Sequence, residues 1–200
     1  MPRILTEADI ADFRERLCRL ATRLLVERGP ENFNMRLLAS EMGVSAMTPY
    51  RYFKDKNEIL SAIRARALVR FASQLERALA APGTLAEQNT ALGNAYIRFA
   101  LEEQVSYRLI FDFAEPGARP QPELKRAEER LRAAVTEHVR KMVDAGYFEG
   151  DPERVGQVFW AGLHGLAALH LAGKLKGDPH TLLGEMNRIL GAACRVKIPA

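Results

Sequence analysis

The sequence predicts an all-α protein of about nine helices, with an N-terminal helix-turn-helix domain over residues 1–54 and a helical C-terminal domain over residues 55–200. Apolar residues recur at helical spacing along most of the chain, and no stretch of useful length alternates apolar and polar residues. Pro and Gly signals such as Gly29-Pro30 and Ala81-Pro82-Gly83 separate the helical segments. Together these three observations exclude a sheet and favour a helical bundle.

Composition places the chain among soluble globular proteins of one or two domains. Of its 200 residues, 48% are hydrophobic and 27% are charged. Neither a signal peptide nor a run of roughly 20 apolar residues is present, so we expect a cytoplasmic protein. Cys18 and Cys194 lie in helical patterns at opposite ends of the chain, which indicates reduced thiols rather than a disulfide.

The first predicted helix begins after Thr6, which can cap it together with Asp9, and ends at Gly29-Pro30. Its apolar positions form one stripe, which is expected to cover the helix-turn-helix: Ile10, Phe13, Leu17, Leu20, Ala21, Leu24 and Leu25. Arg3 precedes the cap. It is interpreted either as part of a disordered terminus or as an arm that reaches a phosphate or the minor groove.

Residues 34–53 carry the pattern of a helix-turn-helix. Asn34 can cap a short apolar helix, Gly43-Val44 makes a tight turn, and Ser45 can cap a second helix that runs through Phe53. A helix-turn-helix places its second helix in the DNA major groove. Two ordinary helices joined by a glycine turn are the alternative. Pro49 lies early in the second helix and is expected to remove at most its first hydrogen bond, so that this helix starts late or bends.

The second helix and the residues after it combine hydroxyl, aromatic and cationic side chains, a mixture that a buried helix would not have. The excess positive charge of the chain lies in the same region. Residues 1–70 contain 13 Lys and Arg against 9 Asp and Glu, net +4, whereas residues 71–200 contain 16 of each. A basic surface attracts a polyanion without specifying its sequence.

Three segments, Gly43-Val44-Ser45, Tyr50-Arg51-Tyr52-Phe53 and Lys56-Asn57-Glu58-Ile59-Leu60, resemble the DNA-binding domain of TetR-family bacterial transcription regulators. The resemblance covers residues 7 to about 60 and departs from the family at Asn34 and Pro49. It implies that double-stranded DNA is a partner. The predicted DNA-binding residues are Arg36, Ser45, Ala46, Met47, Thr48, Tyr50, Arg51, Tyr52, Lys54 and Lys56.

Side-chain chemistry divides this set. Arg36 and Arg51 can form bidentate bonds to guanine, and Thr48 can contact a base edge or a thymine methyl group. Tyr50, Tyr52 and Lys56 are predicted chiefly to hold phosphates.

The fourth predicted helix begins at an Asp55/Glu58 capping pattern and runs to about Ala80, connecting the two domains as one rod. Beyond it, five further helices are predicted over 85–101, 103–113, 122–145, 152–173 and 179–196, with Ala114 to Gln121 as a loop near a pocket mouth. Asp151-Pro152 and Asp178-Pro179 are starting signals, and Gly146 suits a C-terminal cap.

The helix from Pro152 is apolar on nearly all sides and carries a stripe of small residues that would permit another helix to approach closely. In the TetR family the last two helices pair between subunits, and Trp160 to Gly165 resembles a W-x-x-x-H-G signature of one branch. Burial within a single subunit is the alternative. The predicted homodimer interface contains Ala161, Gly165, Ala168, Ala172, Leu182, Met186, Ile189 and Leu190.

Aromatic and apolar residues distributed over the fourth, fifth, sixth and eighth helices are typical of a core, but the family resemblance implies an effector cavity between these helices. The predicted ligand-binding residues are Phe71, Leu75, Tyr96, Phe99, Tyr107, Phe111, Trp160 and His164. His164 is equally compatible with a hydrogen bond to backbone within the core.

The sequence therefore predicts a homodimeric transcription regulator, most simply a repressor that a small apolar or aromatic effector releases from a near-palindromic operator. One rival interpretation is a small-molecule-binding protein of the same fold that no longer binds DNA. A helical enzyme is the other rival, but no catalytic triad or glycine-rich phosphate loop supports it. The four histidines include no i, i+3 or i, i+4 pair, so neither a metal nor another cofactor is expected.

Overall fold

The computed structural model describes residues 6–111 and 122–193, and over these residues it contains eight α-helices, one 3-10 helix and no strand. The all-α prediction is confirmed. The elements are α1 (Glu7–Arg28), α2 (Met35–Glu41), the 3-10 helix (Pro49–Arg51), α3 (Lys56–Leu79), α4 (Leu85–Glu102), α5 (Gln104–Phe111), α6 (Pro122–Asp144), α7 (Pro152–Leu171) and α8 (Pro179–Ala193).

Helix starts follow the predicted caps. The Thr6 hydroxyl accepts from the Asp9 N–H at 3.1 Å while the Asp9 carboxylate accepts from the Thr6 N–H at 2.9 Å, completing the capping box of α1. Asn34 caps α2 through the Leu37 N–H at 2.9 Å. Asp151 caps α7 and is followed by Pro152 at the first helical position.

The predicted second helix of the helix-turn-helix is the one element that is wrong. Instead of an α-helix from Ser45 to Phe53, the chain makes turns through residues 46–48 and then a 3-10 helix of three residues. The Thr48 N–H donates to the Ser45 carbonyl at 2.9 Å, and the Arg51 N–H donates to the Thr48 carbonyl at 3.1 Å. Pro49 has no N–H to donate to Ser45, so the bonds span three residues and the tighter helix results.

The predicted rod is α3, a helix of 24 residues and therefore about 36 Å long. Its Asp55 cap forms as predicted, with the Asp55 carboxylate accepting from the Glu58 N–H at 2.9 Å. The reciprocal half of the predicted box does not form, because the Glu58 carboxylate accepts from the Lys54 N–H at 2.7 Å instead.

Three clusters of buried side chains hold the helices together. The N-terminal core joins α1, α2, the start of α3, Phe33, Phe53 and Leu109 of α5. Leu17, Leu24, Leu38 and Ile59 are fully buried in it. The C-terminal core joins the rest of α3 to α4, α5, α6, α7 and Leu183 of α8. A third core fills the far end between α6 and α7.

The N-terminal and C-terminal cores meet within α3, between Ile63 and Ala65, rather than after residue 54. A short α2 and a 3-10 helix offer little apolar surface, so the first two turns of α3 complete the smaller core. Arg3, the loop from Ala114 to Gln121, Cys194 and the predicted end of the last helix at Val196 lie outside the described residues.

Candidate functional site

The segment that follows α2 presents most of the predicted DNA-binding side chains to solvent. Gly43 adopts φ 69° and turns the chain sharply after α2, where the Val44 N–H donates to the Ala39 carbonyl at 3.0 Å. Met47 is 69% exposed and Tyr50 is 44% exposed. The remaining exposed members are Arg36, Ser45, Ala46, Arg51 and Lys54. These side chains do not pack in the core and are accessible to a binding partner.

Three predicted members, Thr48, Tyr52 and Lys56, are half-buried because they also contact the domain itself. The Tyr52 ring stacks on Phe13 with centroids 4.4 Å apart. The Lys56 ammonium donates to the Pro30 carbonyl at 2.9 Å. Thr48 and Ser45 share a hydroxyl–hydroxyl hydrogen bond of 2.9 Å. Each of these contacts restricts the position of the side chain within the domain.

Arg14 of α1 holds the 3-10 helix in place, and sequence reasoning missed it. Its guanidinium donates to the Tyr52 carbonyl, lies 3.4 Å from the Glu58 carboxylate and stands 4.1 Å from the centroid of the Phe53 ring. A cation over an aromatic ring is attracted by the ring's negative face. No signal in the sequence distinguishes Arg14 from the other arginines of α1, because its partners come from residues 52–58.

A cavity of about 560 Å³ lies between α3, α4, α5, α6 and α7. Five of the eight predicted ligand-binding residues line it: Phe71, Leu75, Tyr96, Phe111 and Trp160. Most of its accessible wall is apolar, but polar side chains such as Asn89, Thr136, His138 and Gln157 also line it, as do the charged Lys125, Glu128, Glu129, Arg132 and Glu153. An apolar wall that carries polar groups is typical of a small-molecule site.

The other three predicted residues lie behind this wall. Phe99 stacks on Phe71 with ring centroids 4.5 Å apart. Tyr107 and His164 bond to each other, with the Tyr107 hydroxyl 2.7 Å from His164 Nδ1. The Tyr96 hydroxyl lies 3.5 Å from both partners. The expected polar groups thus largely satisfy one another, and burial raises the pKa of Tyr96, which keeps its phenol neutral.

Helix α5 connects the cavity with the N-terminal core. Leu109 is 3% exposed and belongs to the N-terminal core, whereas Tyr107 and Ile110 belong to the C-terminal core. Ile110 and Phe111 line the cavity. The Ile110 carbonyl also accepts from the Arg64 guanidinium of α3 at 3.3 Å. A helix of eight residues therefore contacts both regions of the protein.

The outer faces of α7 and α8 form an exposed apolar surface with a groove of about 480 Å³. Val158, Leu169 and Ile189 are 49%, 47% and 57% exposed. A Cβ atom built on Gly165 would meet nothing within 4 Å, whereas one on Gly162 would lie 2.9 Å from Met186 Sδ. The predicted small-residue stripe thus faces outward, while Gly162 permits α8 to pack on α7 within the chain.

The predicted interface residues differ in exposure along this surface. Ala161, Ala172 and Ile189 are exposed. The others are half-buried, and Leu182, Met186 and Leu190 also pack against the buried cores of their own chain: Gly165, Ala168, Leu182, Met186 and Leu190.

Over the described residues, no three His, Cys, Asp or Glu side chains are close enough together to hold a metal ion. Among the same residues, every helix is too short or too polar to span a membrane.

These features define a class of protein: an all-α regulator with a helix-turn-helix domain and a separate helical domain that contains a cavity. Comparison with known proteins gives the family. Residues 17–63 match the family model described as bacterial regulatory proteins, tetR family, and residues 90–189 match the tetracyclin repressor-like C-terminal domain. The second match covers half of the chain. The chain belongs to the TetR family of bacterial transcription regulators, whose members bind DNA and dimerise.

The curated relatives include helix-turn-helix regulators. An HTH-type transcriptional regulator of Staphylococcus aureus (strain bovine RF122 / ET3-1) is 35% identical over 69 residues, which are 34% of this chain and 37% of that protein. The match thus spans little more than a third of the curated relative.

Solved structures share the whole fold. A protein with unknown function from Rhodococcus sp. RHA1 superposes with a TM-score of 0.82 at 24% identity, covering 98% of this chain and 100% of that one. A TetR family transcription regulator from Marinobacter aquaeolei VT8 superposes with a TM-score of 0.71 at 19% identity, covering 94% and 98%.

Proposed function

We propose that the protein is a homodimeric repressor that binds a near-palindromic operator in the cytoplasm and leaves it when an apolar or aromatic effector fills the cavity. The observation that carries this proposal is that two helices, α3 and α5, each belong both to the N-terminal core and to the wall of the cavity. A ligand that moves either helix therefore acts on the DNA-binding surface.

Helix α3 supplies the longer connection. Ile59, Leu60 and Ile63 pack in the N-terminal core, and Phe71 and Leu75 line the cavity two to three turns further on. Close packing within each core means that a displacement at the cavity end is transmitted along the helix rather than absorbed.

Helix α5 supplies the shorter connection. The Tyr107–His164 hydrogen bond ties α5 to α7, and Leu109 projects from the same helix into the N-terminal core. Effector contacts on Phe111 or Trp160, whose ring centroids are 6.3 Å apart, would bear directly on this link.

At the operator, Arg36 and Arg51 are proposed to read guanine and Thr48 to contact a base edge. Tyr50, Tyr52 and Lys56 are proposed to hold phosphates, with Ser45, Ala46, Met47 and Lys54 completing the contact surface. A tight 3-10 helix exposes fewer successive side chains than an α-helix, so base reading is concentrated near Thr48 and Arg51.

The exposed apolar face of α7 and α8 is proposed as the interface with a second copy of the chain. Such a dimer presents two recognition segments, and DNA requires a separation of about 34–36 Å between half-site centres. Effector binding would change that separation. By linkage, operator and effector must weaken each other's binding by the same factor.

The test uses DNA from the region upstream of the gene, labelled for fluorescence anisotropy, and a panel of apolar and aromatic compounds screened by emission of Trp160, the only tryptophan. A compound that quenches Trp160 should lower operator affinity, and operator DNA should shift the compound's titration to higher concentration by an equal factor. A compound that binds with equal affinity to the free and the DNA-bound protein would contradict the coupling.

Leu109→Ala tests the route of coupling. It should reduce the coupling factor severalfold while leaving effector affinity in the free protein within about twofold, because Leu109 lies outside the cavity wall. Leu101→Ala is the matched control, since Leu101 packs only on the C-terminal core. Equal coupling in both variants would leave α3 as the route.

A further inference from the structure

His138 of α6 is a buried polar residue with a ring nitrogen that is unpaired within the described part of the chain. Its side chain is only 5% exposed, and it forms part of the cavity wall. Nε2 is shielded from solvent and has no hydrogen-bond partner among the described residues. A buried nitrogen in this state is destabilising unless something in the cavity satisfies it.

Apolar and polar side chains of α6 and α7 line the cavity beside His138. Val135, Val139 and Phe159 are apolar, and the latter two also belong to the third core, whereas Glu153 and Gln157 are polar. A Cβ atom on Gly156 of α7 would lie 3.6 Å from Val139, so α6 and α7 are in contact here.

The cavity is elongated. Its wall on α6 runs from Lys125 to Val139, which corresponds to about 21 Å of helix. Phe71, Tyr96 and Phe111 make the aromatic part of the wall, where Phe71 and Phe111 lie with ring centroids 6.3 Å apart. Charged side chains such as Lys125, Glu128 and Arg132 also line the cavity. Among the described wall residues, however, His138 is the one with a buried side-chain nitrogen that lacks a hydrogen-bond partner, so a polar group of a bound ligand would be most favourable there.

We infer that His138 recognises an uncharged carbonyl or hydroxyl group on an otherwise apolar effector, an inference that rests on the proposed effector cavity. A neutral imidazole can donate to a carbonyl in one tautomer and accept from a hydroxyl in the other. Burial, with a smaller contribution from Lys141, lowers the pKa of His138 and thereby favours the neutral ring. A neutral ring adds no ionic attraction to a carboxylate, which the cationic side chains of Lys125 and Arg132 on the same wall would attract instead.

The experiment uses N-phenyl-1-naphthylamine, an apolar dye that should fluoresce by energy transfer from Trp160 when it occupies the cavity. Three ten-carbon compounds compete with it: 2-decanone, 1-decanol and decanoate. In His138→Leu, the concentrations of ketone and alcohol that displace half the dye should rise about three- to tenfold, as expected for one lost hydrogen bond. The change for decanoate should stay below twofold.

Three further variants control for packing and for buried imidazoles in general. His138→Gln keeps a donor and an acceptor at similar reach and should restore ketone and alcohol binding to within twofold. His170→Leu removes another imidazole whose buried Nδ1 has no partner among the described residues, but His170 lies outside the cavity wall, so binding should not change. His138→Met repeats the apolar substitution should leucine fit poorly.

The outcomes separate the two proposals. Dye that binds all variants equally and is displaced from all of them at equal concentrations overturns the role of His138 while the cavity stands. A larger loss for decanoate than for the ketone overturns the preference for an uncharged group. If the dye shows no transfer from Trp160 and no competitor binds the wild type, the effector cavity itself is refuted.

Discussion

The two domains of this regulator are packed in different ways. In the N-terminal domain a single core is filled by side chains such as Leu17, Leu24 and Ile59, each 0% exposed, and polar groups such as those of Arg14 and Lys56 find partners within the domain. The C-terminal domain retains a cavity of about 560 Å³ and an exposed apolar face. The N-terminal core is filled, with the first turns of α3 and Leu109 of α5 completing it, whereas the C-terminal domain keeps a cavity and an exposed apolar face.

A matched pair of leucine substitutions tests the difference in packing between the two domains. Leu24→Ala should lower the free energy of unfolding by about 3–5 kcal/mol, because it opens a void in a filled core. Leu131→Ala, at the cavity wall, should cost only about 2–3 kcal/mol, because that side chain is 8% exposed and part of it already faces the cavity. Urea unfolding followed by circular dichroism measures both, and an equal or larger loss at Leu131 would contradict the difference in packing.

The exposed face is tested by Ala168→Arg, which places two like charges near a symmetric contact. Light scattering should show monomer. Operator affinity should fall on the order of a hundredfold because the two half-sites are no longer linked. Ala133→Arg, on an exposed part of α6, is the control and should remain dimeric. Should the Ala168 variant stay dimeric and folded, the interface lies elsewhere.

The burial of Cys18 in the N-terminal core predicts that the stability of the protein falls at high pH. Its side chain is 1% exposed. Burial raises the pKa of this thiol to about 11 from an ordinary value near 9.0. Stability from the neutral thiol is therefore present below pH 9 and is lost as the pH rises towards 11. Relative to Cys18→Ala, the wild type should lose about 2 kcal/mol over that interval. Parallel pH profiles for both proteins would show that water reaches the thiol.

On the proposed DNA-binding surface, Arg51 is exposed, whereas the Lys56 ammonium is held by the Pro30 carbonyl. Arg51→Ala should cost roughly 1–3 kcal/mol and relax base preference at one position, whereas Lys56→Ala should weaken all sequences alike and reduce the salt slope by about one. Lys56→Ala should also lower stability by roughly 0.5–1.5 kcal/mol, because the Pro30 carbonyl loses its donor. A change in base preference from Lys56→Ala with none from Arg51→Ala would reverse the assignment.

What could be predicted from sequence was local chemistry. Thr6, Asn34, Asp55 and Asp151 cap their helices because a side-chain oxygen meets an N–H two or three residues later, whatever the rest of the chain does. Pro49 was identified as a disturbance, but its effect was underestimated. The segment between Gly43 and Phe53 is too short to recover an α-helix after losing one bond.

What could not be predicted was how residues distant in sequence satisfy one another. Tyr107 and His164 are 57 positions apart and bond to each other, and neither lines the cavity, although both were predicted to contact a ligand. His138, on a helix from which no ligand contact was predicted, has the unsatisfied nitrogen instead. Arg14 was missed for the same reason, since its partner Glu58 is 44 positions away.

The position of α5, whose eight residues contact both cores, also bears on how effector specificity could change during evolution or by design. Along α6 and α7, the residues that line the cavity belong to the C-terminal and third cores or to the surface, and within the described chain none belongs to the N-terminal core. Under the function proposed above, more than half of the cavity wall could therefore be changed to suit a new compound while the contacts of the N-terminal core are kept. A sensor built in this way would exchange its input and retain its output.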